Sequence, residues 1–332
     1  MQTGPSDLAG VPHVVGAVTG DGQEVRADLV IDAGGRRSTL PALLAGLGGP
    51  ATVEEREDCG FVYFARFFQG EGGFPSLHGA VHMPYNSVSV VTLPQDNGTW
   101  SVTLVTSSRD RELRVLRDVD RWTAVARLFP AQAHWLDADP VTDIRVISGI
   151  EDRIRHYLVD GRPVVTGVLP VGDAWACTNP SLGRGVSMGL GHAVLLREVL
   201  HASSGDSPGQ RSLMWAEATG EVFEPWHRHT VAVDRQRLAG IENHRAGTPY
   251  QLDDDATATA RALQAGARRD PEILRGLLDI GSMQALPSEV LARPGVADRI
   301  RTSAADTPQD TPPGPARQDL LDAAGVHPQH PA

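Results

Sequence analysis

The apolar residues of this chain change period several times, and each change marks a new kind of element. Near the start, "HVVGAVTGDGQEVRADLVIDAGGRR" reads as strand, turn, strand, strand. Val14, Val15, Ala17 and Val18 lead into Gly20-Asp21-Gly22, a turn cluster of hairpin type. The next run, Leu29 to Ile31, is apolar without alternation and is ended by Asp32 and two glycines. A strand that is apolar on both faces suits the inside of a parallel sheet, and ligands bind at the C-terminal ends of such strands.

Residues 58–150 have a different texture. "FVYFARFF", "SVSVVTL" and "TWSVTLVT" are β-branched or aromatic, alternate partly, and are separated by Gly, Pro or Asn, which predicts antiparallel strands of a separate sheet. Between 110 and 129 the period lengthens. Val119, Trp122, Val125, Ala126 and Phe129 share one helical face, and "DIRVISGI" reads as a returning strand. This middle region is an α+β unit inserted between two pieces of an α/β layer. The buried-strand pattern returns in "VDGRPVVTGVLPVGDA", followed by a helix with Val186, Leu190, Ala193, Val194 and Leu200 on one side. From about 211 to 293 the pattern is mostly helical. Beyond 301, "RTSAADTPQDTPPGPARQ" has few apolar residues and predicts a disordered tail over 301–332.

Composition narrows the function classes. A chain of 332 residues with 41% hydrophobic content is long enough for about two domains with sizeable cores. The formal net charge of -11 argues against nucleic acid or an anionic membrane as a main partner, since both reward basic patches. Two cysteines, Cys59 and Cys177, can build neither a disulfide framework nor a zinc site. No run approaches the ~18 to 20 apolar residues of a membrane helix, and the first ten residues lack signal-peptide character, so a cytoplasmic protein is expected.

The stretch that bears chemistry is "GDAWACTNPSLGRGVSMG", residues 172–189. A strand ending in Gly172-Asp173 puts a carboxylate at the mouth of the sheet, where it can accept hydrogen bonds from sugar or ribityl hydroxyls. Gly183 and Gly185 let the backbone approach a flat ring or a phosphate, and they open a helix whose first N–H groups lack partners. That helix end carries about half a positive charge and favours an anion.

This stretch resembles the second flavin-contacting motif of FAD-dependent oxidoreductases of the p-hydroxybenzoate hydroxylase and geranylgeranyl reductase type: Gly-Asp, a spacer, Pro180, then Gly-x-Gly opening a helix. "DLVIDAGGRRSTLP", residues 28–41, resembles their other internal signature, Asp-Ala-x-Gly-Arg-x-Ser-x-x-Pro. The resemblance implies FAD as cofactor, with Asp173 on the ribityl chain, Gly185 and Val186 at the isoalloxazine edge, and Asp32, Gly34, Gly35 and Arg36 near the phosphates. Gly172, Pro180, Gly183 and Ser187 complete the implied cofactor set. The implied fold is α/β plus α+β: an incomplete Rossmann-like FAD-binding layer (1–57 and 151–210), an antiparallel-sheet substrate domain (58–150) and a helical C-terminal region (211–300).

One departure from the family pattern has a definite consequence. The family opens with strand, Gly-x-Gly-x-x-Gly and helix, and no such motif occurs in these 332 residues. Without that unit several charge-assisted hydrogen bonds of about 1.5 to 3 kcal/mol each are missing from the FAD site. The expectation is an N-terminally truncated flavoprotein that binds FAD weakly on its own.

The leading reading is an FAD-dependent monooxygenase acting on a small organic substrate, reduced by NAD(P)H or by a partner reductase. The alternatives are a flavin-dependent reductase of an apolar substrate and a non-catalytic remnant that has lost FAD. No side chain stands out as a catalytic acid or base. Tyr63, Arg66, His78 and His82 carry a weak claim to the substrate pocket. In "LHGAVHM", read as a strand, the two histidines share a face. Cys177 reads as structural, His227 and His229 as exposed helix surface, and the acids of 253–256 as a helix start.

Overall fold

A computed structural model describes residues 1–70, 72–248, 255–305 and 314–326. The chain forms two compact units: residues 1–59 with 151–234, and residues 60–150 with 235–332.

The first unit begins with an antiparallel meander of Gln2–Gly4, His13–Val18 and Glu24–Arg26. Its hairpin turns through the Gly20-Asp21-Gly22 cluster, pairing Val18 with Glu24. The strand Val30–Asp32 then pairs in parallel with Val168–Pro170, with Val30 opposite Val168, Ile31 opposite Leu169 and Asp32 opposite Pro170. A second antiparallel sheet has the order Ala176–Cys177, Glu151–His156, Val53–Asp58. Val14, Leu40, Leu44, Val164, Val165 and Val168 form one core cluster, and Leu169, Val199 and Trp215 form another. The helix Pro208–Val222 starts where sequence rules place it: Ser207 accepts from the Gln210 N–H and proline holds the first turn.

The helix Gly185–Ala202 keeps the expected residues on one side. The side carrying Val186, Leu190 and Val194 is turned outward, with these side chains 77%, 67% and 48% exposed, while His192 and Val199 are buried. Helical periodicity identifies residues that share a face; it does not say whether that face is covered. Ile31, expected inside a sheet, is 39% exposed, its strand having a single paired neighbour among the described residues.

The second unit is built on a six-stranded antiparallel sheet of order Asp139–Pro140, Phe61–Gln69, Thr99–Ser107, Ser89–Pro94, His82–Pro84, with Arg145–Ile147 also pairing Phe61–Gln69. Against one face packs the helix Val119–Ala126, started by Asp118, whose carboxylate accepts from the N–H groups of Asp120 and Arg121. Trp122, Val125, Ala126 and Phe129 are buried there, as the period predicts. The Trp122 indole donates to the Phe64 carbonyl at 2.9 Å and that of Trp100 to the Trp135 carbonyl at 2.9 Å, so these large side chains bury no unpaired N–H. A smaller cluster of Leu263, Ile273, Ile280, Val290, Val296 and Ile300 joins the later helices.

Two further expectations fail in this unit. Part of the predicted disordered tail is ordered: Arg317–Ala323 is a helix that buries Leu320 and Leu321 in the sheet's core cluster, and Val296–Ala305 is helical across the expected boundary. Residues 306–313 and 327–332 lie outside the described set. In "LHGAVHM" only His82 and Met83 belong to a strand, His82–Pro84, so His78 and His82 are not a same-face pair. The acids Asp253 and Asp254 also fall outside the described residues.

Candidate functional site

The parallel pairing of Val30–Asp32 with Val168–Pro170 brings both sequence motifs to one end of one small sheet. The Val171 N–H donates to the Asp32 carbonyl at 2.9 Å, and beyond that bond the two loops run side by side. Asp32 is used in shaping its own loop: its carboxylate accepts from the Gly34 N–H at 2.9 Å and from the Ser38 hydroxyl. Arg36 reaches across, donating from Nη2 to the Thr178 carbonyl at 3.1 Å. Its backbone carbonyl in turn accepts from the Arg153 guanidinium.

A cavity of about 280 Å³ opens where these loops meet. Arg36, Gly172, Asp173, Pro180, Gly183, Gly185 and Val186 all line it; Asp32, Gly34, Gly35 and Ser187 do not. Its apolar wall comes from Trp175, Met188 and Phe223. Gly172 (φ +56) and Gly183 (φ +66) hold left-handed conformations that side chains disfavour, and they set the two turns of the loop. Gly185 and Gly189 serve a different purpose. A β-carbon at either would meet nothing within 4 Å, so the bare backbone borders open space inside the cavity. No side chain caps the start of the Gly185–Ala202 helix and no acid sits in its first turn. The helix therefore presents its N–H groups and positive end at the cavity. A glycine-walled slot between a carboxylate, an arginine and a helix N-terminus fits a flat ring bearing an anionic edge and a hydroxylated chain.

Behind the loop lie buried polar groups that sequence reading missed. The Asp152 carboxylate accepts from the Asn179 N–H at 2.7 Å, and Asp234 accepts from the Ser181 hydroxyl at 2.6 Å. Burial pushes the Asp234 carboxyl up to about 7, opposed by its hydrogen bonds to Ser181 and Asn179. Arg184 is buried over the Trp226 ring at 5.0 Å and donates to Thr230; desolvation lowers it to about 10. His192 is buried as well, and desolvation drops it to about 4. A lone histidine in the otherwise aliphatic "VSMGLGHAVLL" was the available signal. Burial raises the Cys177 thiol above its ordinary value, so it stays protonated and a nucleophilic role is disfavoured. His227 is buried and His229 half-buried, correcting the exposed-surface reading; burial lowers both, His229 to about 4.

The four weak substrate candidates all belong to the second unit and none lines this cavity. Arg66 is occupied locally, donating to the Thr142 carbonyl and the Thr123 hydroxyl and lying 5.7 Å from the Phe68 ring centre. Tyr63 is buried in the same strand, His78 stacks on His134 with centroids 4.2 Å apart, and His82 pairs with Val91 at the sheet edge. Among the described residues no group of three or more His, Cys, Asp or Glu is placed to hold a metal ion, and no helix is long and apolar enough to cross a membrane.

This fold occurs among FAD-dependent monooxygenases. The crystal structure of pqsL, a probable FAD-dependent monooxygenase from Pseudomonas aeruginosa, aligns with a TM-score of 0.51 at 18% identity, covering 73% of this chain and 66% of that one. A variant of 2-methyl-3-hydroxypyridine-5-carboxylic acid oxygenase aligns with a TM-score of 0.51 at 17% identity, over 68% of this chain and 59% of that one. Among curated proteins, Protein Rv3254 of Mycobacterium tuberculosis is 28% identical over 221 residues, which are 62% of this chain and 44% of that protein. The chain thus spans less than half the length of this relative. No protein-family model matches it.

Proposed function

We propose that this chain forms the ribityl and isoalloxazine half of the FAD site of a monooxygenase acting on a small organic substrate. The observation that carries the reading is the convergence of the two motif loops, Asp32 opposite Pro170 and Arg36 bonded to Thr178, around a glycine-walled cavity. Asp173 accepts hydrogen bonds from the ribityl hydroxyls. Gly185 and Gly189 admit the ring system at backbone distance, and the helix start at Gly185 balances negative charge on its edge. A flavin held there would supply the oxygenation chemistry, with molecular oxygen as oxidant and NAD(P)H or a partner reductase as the electron source. The protein's share is placement, exclusion of water by Trp175, Met188 and Phe223, and charge balance.

The pyrophosphate and adenosine half requires a strand, Gly-x-Gly-x-x-Gly, helix unit, supplied on the same polypeptide or by a partner. Two features favour that completion. A parallel pair of strands is rarely stable uncovered, and Val186, Leu190 and Val194 expose an apolar ladder on the helix beside it. Titration with FAD, following flavin fluorescence, tests the proposal. The chain alone binds weakly, and addition of a strand, Gly-x-Gly-x-x-Gly, helix unit tightens binding by about three powers of ten or more, the worth of two or three charge-assisted hydrogen bonds. Stoichiometric flavin on the purified chain alone, or no gain on completion, overturns it.

A further inference from the structure

His192 sits on the second turn of the Gly185–Ala202 helix, 1% exposed, and borders the cavity. Its ring lies flat on Trp215, centroids 4.4 Å apart and planes within 15°, with Trp175 and Phe223 each 5.2 Å away. Both ring nitrogens are engaged: Nδ1 with the Gly172 backbone N–H at 3.0 Å, and Nε2 with the Thr219 hydroxyl at 3.0 Å. The Gly172 N–H can only donate, so Nδ1 must offer its lone pair and the proton of the neutral ring belongs on Nε2, donated to Thr219. Packing alone would ask for a phenylalanine here; a histidine adds one acceptor aimed at one amide.

That amide opens the Gly172–Ala174 turn, which carries Asp173 into the cavity wall from a glycine at φ +56. We propose that His192 is a positioning residue: its Nδ1 fixes the Gly172 amide, and through that turn the place of the Asp173 carboxylate that meets the ribityl chain. The ligand named here rests on the flavin reading of the cavity; the clamp itself does not. A turn begun by glycine has more backbone freedom than any other, and a single side-chain acceptor removes it at the point where the carboxylate direction is set. The aromatic cage holds the imidazole plane, the Gly172 N–H selects the tautomer, and the Thr219 hydroxyl on the next helix accepts the Nε2 proton.

Two substitutions separate the acceptor from the ring. In His192→Asn, Oδ1 takes the place of Nδ1 and the cage loses its stack; in His192→Phe the stack stays and the acceptor goes. Nitrogen NMR of histidine-labelled protein shows Nε2 protonated and Nδ1 bare at neutral pH; a protonated Nδ1 overturns the proposal without any variant. Exchange of the Gly172 amide proton accelerates about tenfold or more in His192→Phe and stays within about threefold of wild type in His192→Asn, the loss being that of one buried hydrogen bond. With FMN as probe, affinity falls about tenfold in His192→Phe and is recovered in His192→Asn. The opposite ranking in exchange, slow in Phe and fast in Asn, makes the residue a packing element and overturns the proposal. If the exchange ranking holds while wild type shows no FMN binding, the clamp stands and the flavin reading falls. Should His192→Phe not fold, the tautomer spectrum and the Asn variant still decide.

Discussion

The two units of this protein spend their residues differently. In the sheet-based unit, Trp122, Trp135, Phe64 and Phe129 are almost fully buried, and the indole N–H of Trp122 is bonded to a backbone carbonyl. Its buried carboxylate, Asp110, is held by the Arg317 guanidinium at 2.6 and 2.8 Å. The motif-bearing unit instead keeps a glycine-walled cavity, leaves Val186, Leu190 and Val194 in water, and buries Asp234 with hydroxyl and amide partners. Buried titratable groups occur in both units, Arg237 of the sheet-based unit being lowered to about 10 by desolvation, so what sets the motif-bearing unit apart is its glycine-walled cavity.

That contrast can be broken most directly at Trp122. Trp122→Ala removes a fully buried side chain and its hydrogen bond to Phe64, and urea unfolding should show a loss of about 3 to 5 kcal/mol. A loss below about 1 kcal/mol would mean that packing does not hold this unit together.

Asp234 gives the next effect, with a sign set by its environment. The folded carboxyl keeps its proton up to about 7 while the unfolded one releases it near 3.8. Between those values the native state binds more protons, so stability is greatest at the acid end and falls as pH rises through 7. Asp234→Asn keeps an acceptor for Ser181 and removes the titration. The variant should match wild type near pH 4 and exceed it above pH 7, by about 4 kcal/mol at about 1.4 kcal/mol per pH unit. Denaturant unfolding at several pH values reads this, and equal curves at pH 8 would contradict it.

The smallest effect sharpens the contrast most. Gly189→Ala, where a β-carbon meets no protein atom within 4 Å, should stabilise the helix by about 0.5 to 1 kcal/mol. The same methyl narrows the cavity, so FMN binding should weaken while the melting temperature rises. A site that loses nothing when filled is not a ring slot.

Much of this was legible in the sequence. The hairpin at Gly20-Asp21-Gly22, the long strands 61–69 and 99–107 and the buried face around Trp122 follow from period and turn chemistry, which act locally. The convergence of residues near 32 and 173 followed from two motifs in order, not from either alone. The His192 clamp was illegible because its meaning lies in Gly172, Trp215 and Thr219, three segments brought together only by folding. The helix Arg317–Ala323 was hidden because a Pro- and Thr-rich run outweighs two leucines in any composition window, although those leucines find a core. Arg66 looked available for a substrate because sequence does not show the Thr142 carbonyl and Thr123 hydroxyl that engage it.

The parallel strand pair has a growth direction. On its inner strand Gly167 and Val171 bond to Val30 and Asp32, while Thr166, on the opposite edge, exchanges bonds with Pro12 and Val14. Pro170 shares that opposite edge; it has no N–H to offer, and its carbonyl accepts from the Trp215 indole at 3.2 Å. One margin is thus closed by a ring and an indole. A further strand can be added only beside Ile31, so this sheet accepts new neighbours from a single side.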